Sequence, residues 1–247
     1  MEKEKQIQAN AGSSDERMEE IMFTHFLHEL HSPLALATNC AERIRLAVGD
    51  NPKIYKLVVD LQVALRMTKQ AASRFEITVN QNKVIRSFKQ LMTPTQIDEI
   101  VRSCMEDTAY IHSAEKRNIS CRIDSTSFSS IPQFFADSNL LRQAIYNLID
   151  NAYKYSSTGS QINISARSDS IRIFLITTNH GLVFSADDAA YAANRGWRGG
   201  EARLICNGSG LGLWMVSKIA EAHDGNLVII PTDSEGLNRV TLSWAVR

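Results

Sequence analysis

Cysteine is scarce and scattered: Cys40, Cys104, Cys121 and Cys206 are separated by gaps of 64, 17 and 85 residues in a chain of 247. Without a Cys-x-x-Cys pair a structural zinc site is not expected, and the ordinary globular composition excludes a disulfide scaffold. Dispersed free thiols fit a reducing compartment. No apolar run approaches the roughly 18 residues needed to cross a bilayer. The opening MEKEKQIQAN is charged and lacks the apolar core of a secretory signal. Neither sign of charge is in excess, since Lys plus Arg and Asp plus Glu both number 27. A general nucleic-acid or membrane-surface binder carries a basic surplus, so neither partner is expected. Internal repeats and low-complexity tracts are missing too. What is there, 44% hydrophobic and 22% charged, is ordinary globular composition for one large or two small domains. The expected location is cytoplasmic, as a free protein or as the cytoplasmic part of a longer membrane-bound one.

Residues 1–20 are polar, with Gly12, Ser13 and Ser14 among them, and read as a linker that becomes helical near Asp15. From Ile21 to Ala47 apolar residues recur every three or four: Met22, Phe26, Leu30, Leu34, Ala37, Ala41, Ile44. That is one stripe of an α-helix, interrupted by Pro33. Gly49, Asp50, Asn51 and Pro52 signal a turn. A second stripe follows through Ile54, Leu57 or Val58, Leu61, Ala64 or Leu65, Thr68, Ala71 or Ala72, and Phe75. Two long helices and a short turn predict an antiparallel hairpin over 21–80. A lone hairpin leaves an apolar face open, and pairing two copies into a four-helix bundle would cover it.

The pattern changes near Asn80. Lys83–Leu91 could hold a short strand, and Pro94–Ala114 reads as a helix capped by Thr95. Ile119–Ile123 and Gln133–Ala136 are strand candidates, and Asp137–Tyr155 is a strongly amphipathic helix. Gln161–Arg167 and Ile171–Thr177 alternate as strands around a turn at Asp169-Ser170. A long loop from Asn179 to about Gly208, a helix Leu211–Ala222, a turn at Asp224-Gly225 and strands Asn226–Ile230 and Arg239–Ala245 complete the chain. The class is α+β: the hairpin, then a two-layer α/β sandwich over 83–247.

Three local patterns carry chemistry. His28-Glu29-Leu30-His31-Ser32-Pro33-Leu34 places His28 where it can point out of the helix. An imidazole is a nucleophile near neutral pH, Glu29 can orient it or take its proton, and Ser32, one turn on, can orient a water. The same residues also read as surface histidines, or as a metal site from His25, His28 and His31 that lacks a completing carboxylate set. Asn147-Leu148-Ile149-Asp150-Asn151-Ala152-Tyr153-Lys154-Tyr155 puts Asn147, Asn151 and Lys154 on one face, opposite Leu141, Ile145, Leu148 and Ala152. An amide oxygen suits Mg²⁺ and an ammonium suits phosphate, though a merely solvated polar face is the plainer reading. Gly208-Ser209-Gly210-Leu211-Gly212-Leu213 precedes a helix, where backbone N–H groups can approach a phosphate. It is not a Walker loop, because no Gly-Lys-Ser/Thr follows.

In this order and spacing, from about Ile21 onward, the chain resembles a sensor histidine kinase of two-component systems. His28 to Leu34 looks like the phosphoacceptor box, Asn147 to Tyr155 like the asparagine box, and Gly208 to Leu213 with WMVSKIAEAHDG like the second glycine box and its helix. Arg195-Gly196-Trp197-Arg198-Gly199-Gly200-Glu201-Ala202 resembles an ATP-lid segment. The resemblance implies a dimerisation and phosphotransfer hairpin and an ATP-binding domain of the Bergerat, or GHKL, type. It implies ATP and Mg²⁺ as cofactors, with Asn151 on the metal. Asn147, Lys154, Tyr155, Asn179, Gly181, Gly208, Ser209, Gly210, Leu211 and Gly212 would lie about the nucleotide. His28 would take the γ-phosphoryl group and pass it to an aspartate in the receiver domain of a response regulator. Many relatives also dephosphorylate that partner, using a side chain at the position of Ser32.

Three departures stand out. Asn179-His180-Gly181-Leu182-Val183 stands where the family's first glycine box reads Asp-x-Gly-x-Gly, His31 stands where Arg or Lys is usual, and Ser32 replaces Thr or Asn. Asn179 and Val183 motivate an alternative, a dimeric pseudokinase acting as scaffold or phosphatase. Joint retention of His28, Glu29, Asn147, Asn151, Lys154 and the second glycine box favours the kinase.

Overall fold

A computed structural model describes residues 34–47, 51–79, 93–113, 117–205 and 209–246. The chain divides into two compact units, Met1–Val84 and Ile85–Arg247. The possible strand at 83–91, and the residues His25, His28, Glu29, His31, Ser32 and Gly208, lie outside the described residues.

In the first unit, α1 covers residues 34–47 and α2 covers Pro52–Val79. The Asn51 side chain starts α2, its Oδ1 accepting from the N–H of Lys53 at 3.2 Å and of Ile54 at 3.3 Å. Such a cap satisfies donors that have no partner within the helix. The two helices touch through Gln62 Nε2, which donates to Glu42 Oε2 at 2.6 Å. Ala41, Val58, Val63 and Ala72 are buried. Most of the larger apolar side chains among the described residues are not: Leu36, Ile44, Leu46, Ile54, Leu57 and Leu61 are exposed, Leu57 at 67%. Large apolar side chains of the hairpin are thus left uncovered within one chain.

The second unit is a two-layer sandwich. Its elements are β1 (Thr93–Thr95), α3 (Ile97–His112), β2 (Ser120–Ile123), α4 (Ser125–Phe128), β3 (Phe134–Ala136), α5 (Ser138–Tyr155), β4 (Gln161–Ser168), β5 (Arg172–His180), α6 (Ala186–Tyr191), α7 (Gly200–Ile205), α8 (Gly212–Ala222), β6 (Asn226–Ile230) and β7 (Leu237–Ala245). Five strands form a mixed sheet in the order β2-β4-β5-β7-β6, with β2–β4 parallel and the other pairs antiparallel. Period-two alternation sends Ile162, Ile164 and Ala166 of β4 and Ile173 and Leu175 of β5 to the helical layer. The register aligns them across strands, Ala166 opposite Leu175 and Leu175 opposite Leu242. At the β4–β5 turn, Asp169 Oδ1 accepts from the N–H of Ile171 and Arg172. The central helix α5 packs between α3, α8 and the sheet.

Two expectations need correction. The helix expected from Pro94 begins at Ile97, with Gln96 as its cap position and no side-chain cap bond. Thr95 is claimed by strand pairing instead, because β1 runs antiparallel to β3 with Thr95 opposite Phe134. Its hydroxyl donates to the Thr93 carbonyl at 2.9 Å. The long loop from Asn179 holds two short helices. The first, α6, is built by a reciprocal capping box between Ser185 and Asp188.

Candidate functional site

The C-terminal end of α5 meets the end of β5, and the contact is between backbones. Ser157 N–H donates to the His180 carbonyl, and Leu182 N–H to that of Tyr155, both at 2.9 Å. A Cβ on Gly181 would stand 2.0 Å from the Tyr155 oxygen. Glycine at 181 is thus demanded by this approach of chain to chain. Arg117 secures the same helix end. Its Nη2 donates to the Tyr153 carbonyl at 2.7 Å, and its Nη1 to those of Lys154 and Ser156 at 3.2 and 3.3 Å. A guanidinium at a helix C-terminus satisfies carbonyls left without partners and complements the helix dipole. Sequence reasoning passed over Arg117, because nothing local ties it to carbonyls some 36 residues away.

Asn179 lies buried at the end of β5, its Nδ2 donating to Ser156 Oγ at 3.1 Å. That bond orients the amide so that the oxygen is the group left to accept. Two residues earlier on the same strand face, the Thr177 hydroxyl is 3% exposed and has no hydrogen-bond partner among the described residues.

Asn151 is half-buried and meets the second glycine run. A Cβ on Gly212 would stand at contact distance from the amide, 3.4 Å from Asn151 Nδ2 and 3.6 Å from Oδ1, so the first turn of α8 lies against Asn151. Leu211 occupies the cap position of α8 with no side-chain cap bond among the described residues. Its first N–H groups are the kind of donors an anion accepts. Gly210 has φ +68, and a Cβ there would stand 2.6 Å from the Trp197 oxygen and from the Gly196 carbonyl carbon. Gly196 N–H donates to the Gly210 carbonyl at 3.2 Å. The lid-like segment is therefore joined to the glycine run by backbone, with Ser209 exposed beside it. Beside that segment the Tyr191 and Trp197 rings pack tilted at 45°, with centroids 5.3 Å apart, and Arg195 lies over the Trp214 ring at 5.6 Å.

Asn147 is where the expected shared polar face fails. It is 2% exposed, against a reading that set it with Asn151 and Lys154 opposite the core. The expected core residues Leu141, Ile145, Leu148 and Ala152 are indeed buried. Helices on two sides and a sheet on a third leave α5 little solvated face, so a polar residue at 147 is enclosed as well.

Asp150 forms a cluster that spacing hinted at only in part. Lys154 Nζ meets its Oδ2 at 2.5 Å, one turn on, and His112 Nε2 lies 3.0 Å from its Oδ1. The His112 ring stacks on Tyr153, with 5.0 Å between centroids and a 4° tilt. Burial pushes the Asp150 carboxyl up, but the His112 hydrogen bond and the Lys154 charge outweigh it and hold it below the usual carboxylate range. Burial pushes the Cys104 and Cys121 thiols up to about 12, which leaves them unreactive at neutral pH. Among the described residues no cluster of three or more His, Cys, Asp or Glu could hold a metal. A magnesium ion here would need the asparagine amide and the phosphates themselves.

Residues 136–246 match the family of histidine kinase-, DNA gyrase B-, and HSP90-like ATPases. The segment begins at β3 and ends just past β7, taking in every site residue described above except Arg117 and His112. The chain is related to the sensor histidine kinases. The sensor-like histidine kinase SenX3 of Mycobacterium tuberculosis is 28% identical over 204 residues, covering 81% of this chain and 47% of that protein. The adaptive-response sensory kinase SasA of Gloeothece citriformis is 27% identical over 216 residues, covering 85% of this chain and 53% of that protein. The chain thus spans about half the length of these curated relatives. Among solved structures, the mycobacterial sensor histidine kinase MprB matches 63% of this chain and 99% of its own at a TM-score of 0.53 and 22% identity. Histidine kinase AdeS of Acinetobacter baumannii matches 89% of this chain and 98% of its own, at 0.52 and 17%. These two show the fold. The ATP-binding α/β domain of this family is the second unit's architecture. No helix among the described residues is long and apolar enough to cross a membrane.

Proposed function

We propose that the chain is the dimeric core of a two-component histidine kinase, which phosphorylates itself on His28 and passes the phosphoryl group to an aspartate of a response regulator. The observation that carries the reading is the meeting of the Asn151 amide with the start of α8 at Gly212. A hard-cation ligand and the first N–H groups of α8 then share one spot, as a magnesium-bound triphosphate requires. The residues fit that ligand. Asn151 would hold the metal, the N–H groups at Leu211 and Gly212 the phosphates, and Asn179 the base, through its amide oxygen. Magnesium, when bound, neutralises charge on the phosphate oxygens.

His28 supplies the nucleophile. A ring nitrogen forms the bond to the γ-phosphorus, the bond to the β–γ bridging oxygen breaks, and ADP departs with that electron pair. Glu29 takes the ring proton. In the second step the carboxylate oxygen of the regulator's aspartate forms the bond to phosphorus, and the bond to His28 nitrogen breaks. Ser32 would orient a water when the phosphorylated partner is hydrolysed. The exposed apolar residues of the hairpin, Leu36, Leu46, Leu57 and Leu61, favour a second copy as their cover.

Incubation with γ-labelled ATP tests the reading. The expected label is acid-labile and alkali-stable, absent in His28→Ala, and lost in Asn151→Ala together with magnesium-dependent ATP binding. No label and no nucleotide binding would instead leave the scaffold reading.

A further inference from the structure

Lys154 stands between two side chains that can use its charge. At about 100° per residue around α5, it lies roughly 40° from Asp150 and 60° from Asn151. It is engaged with Asp150, at 2.5 Å. The two oxygens of Asp150 are divided between unlike partners. Oδ1 faces His112 at 3.0 Å, and both of those side chains are below 10% exposed. The His112 ring is stacked on Tyr153, so it is a fixed partner. Oδ2 faces Lys154, whose side chain is 34% exposed and can swing. One half of the carboxylate is thus anchored and the other is held by a mobile ammonium beside the amide assigned to magnesium.

We propose that Asp150, anchored by His112, is a docking post that Lys154 occupies when no nucleotide is bound and leaves for the triphosphate. Asp150 is then a positioning residue that sets how tightly the charged part of a nucleotide is held, and it works against that affinity. The idea rests on the nucleotide reading above, but it adds a sign that reading does not contain. A phosphate must draw Lys154 away from a buried carboxylate, which keeps only His112 afterwards. Removing the charge at 150 while keeping the oxygen that faces His112 frees the ammonium in advance.

The test compares ATP with adenosine, which has the base and sugar but no phosphates, on the full chain by titration calorimetry. Asp150→Asn should bind ATP roughly three- to tenfold more tightly than the unmodified chain, the scale of a partly exposed ion pair, and adenosine equally well. Adding Lys154→Gln should erase the gain. A structural role for Asp150 alone would weaken both ligands together, and that result overturns the proposal. The unmodified chain gives an independent readout by NMR of the lysine ammonium groups. The Lys154 Nζ signal, set by its pairing with Asp150, should move on adding ATP and stay put with adenosine. A Lys154 signal that ignores ATP overturns the proposal even where Asp150→Asn does not fold. ATP binding with a silent Lys154 removes the docking post and leaves the nucleotide reading standing. Binding of neither ligand removes both.

Discussion

In the α/β unit Ile145, Ile149, Ile162, Ile164, Leu175 and Trp244 are all shielded from water, while in the hairpin Leu36, Leu46, Leu57 and Leu61 stand in it. Each such side chain contributes about 1.5–3 kcal/mol when fully buried, so the two units differ in where their stability originates. The α/β unit closes its core within one chain. The hairpin has apolar residues of the right kind and spacing but too little of its own surface to cover them. On the proposed reading, the hairpin's uncovered side chains are closed off by a second copy.

That contrast can be broken or sharpened by substitutions ranked by their effect on the unfolding of the α/β unit. Gly225→Ala should act most strongly. The added Cβ would stand 1.8 Å from the Ser243 carbonyl oxygen and 2.6 Å from the Trp244 Cα, both backbone atoms that cannot turn aside. A loss of about 3 kcal/mol or more is expected in denaturant melts, with self-association of the hairpin unaffected in sedimentation. Arg117→Met keeps the aliphatic stem and removes the donors to the Tyr153, Lys154 and Ser156 carbonyls. It should cost about 2 kcal/mol in the same melts, and a loss near zero would show that water replaces the guanidinium. Leu57→Asp should change the α/β transition by less than about 0.5 kcal/mol while converting the dimer to monomer. A mass unchanged in sedimentation would mean that the exposed face is not what joins two copies.

Much of the α/β unit was legible in the sequence, because its signals are local. The alternation in Gln161–Arg167 placed β4, and Asp137 at the head of an amphipathic run marked the start of α5, where its carboxylate accepts from the N–H of Asn139 and Leu140. The strand β1 was not legible, because three residues ending in Thr95 read as a helix start until Phe134–Ala136 is brought alongside. The site divides in the same way. Asn151 and the glycine run were visible as a pattern, and the contact of Gly212 with the Asn151 amide appears only when α5 is folded against α8. Lys154 was noticed for phosphate, and its pairing with Asp150 was implicit in their spacing of four. His112, 38 residues from Asp150, could not be joined to them by any period. Burial of Asn147 was misjudged because a helical wheel assumes one wet side, and α5 is packed on three.

The bond from Gly196 N–H to the Gly210 carbonyl makes the stretch between them a closed ring of chain whose ends already touch. Closing such a ring depends only weakly on its length, about 0.6 kcal/mol for each doubling. The segment is therefore a tolerant place for an engineered graft. An epitope or a fluorescent reporter set after Ile205, at the end of α7, would lengthen the ring without parting the two glycines.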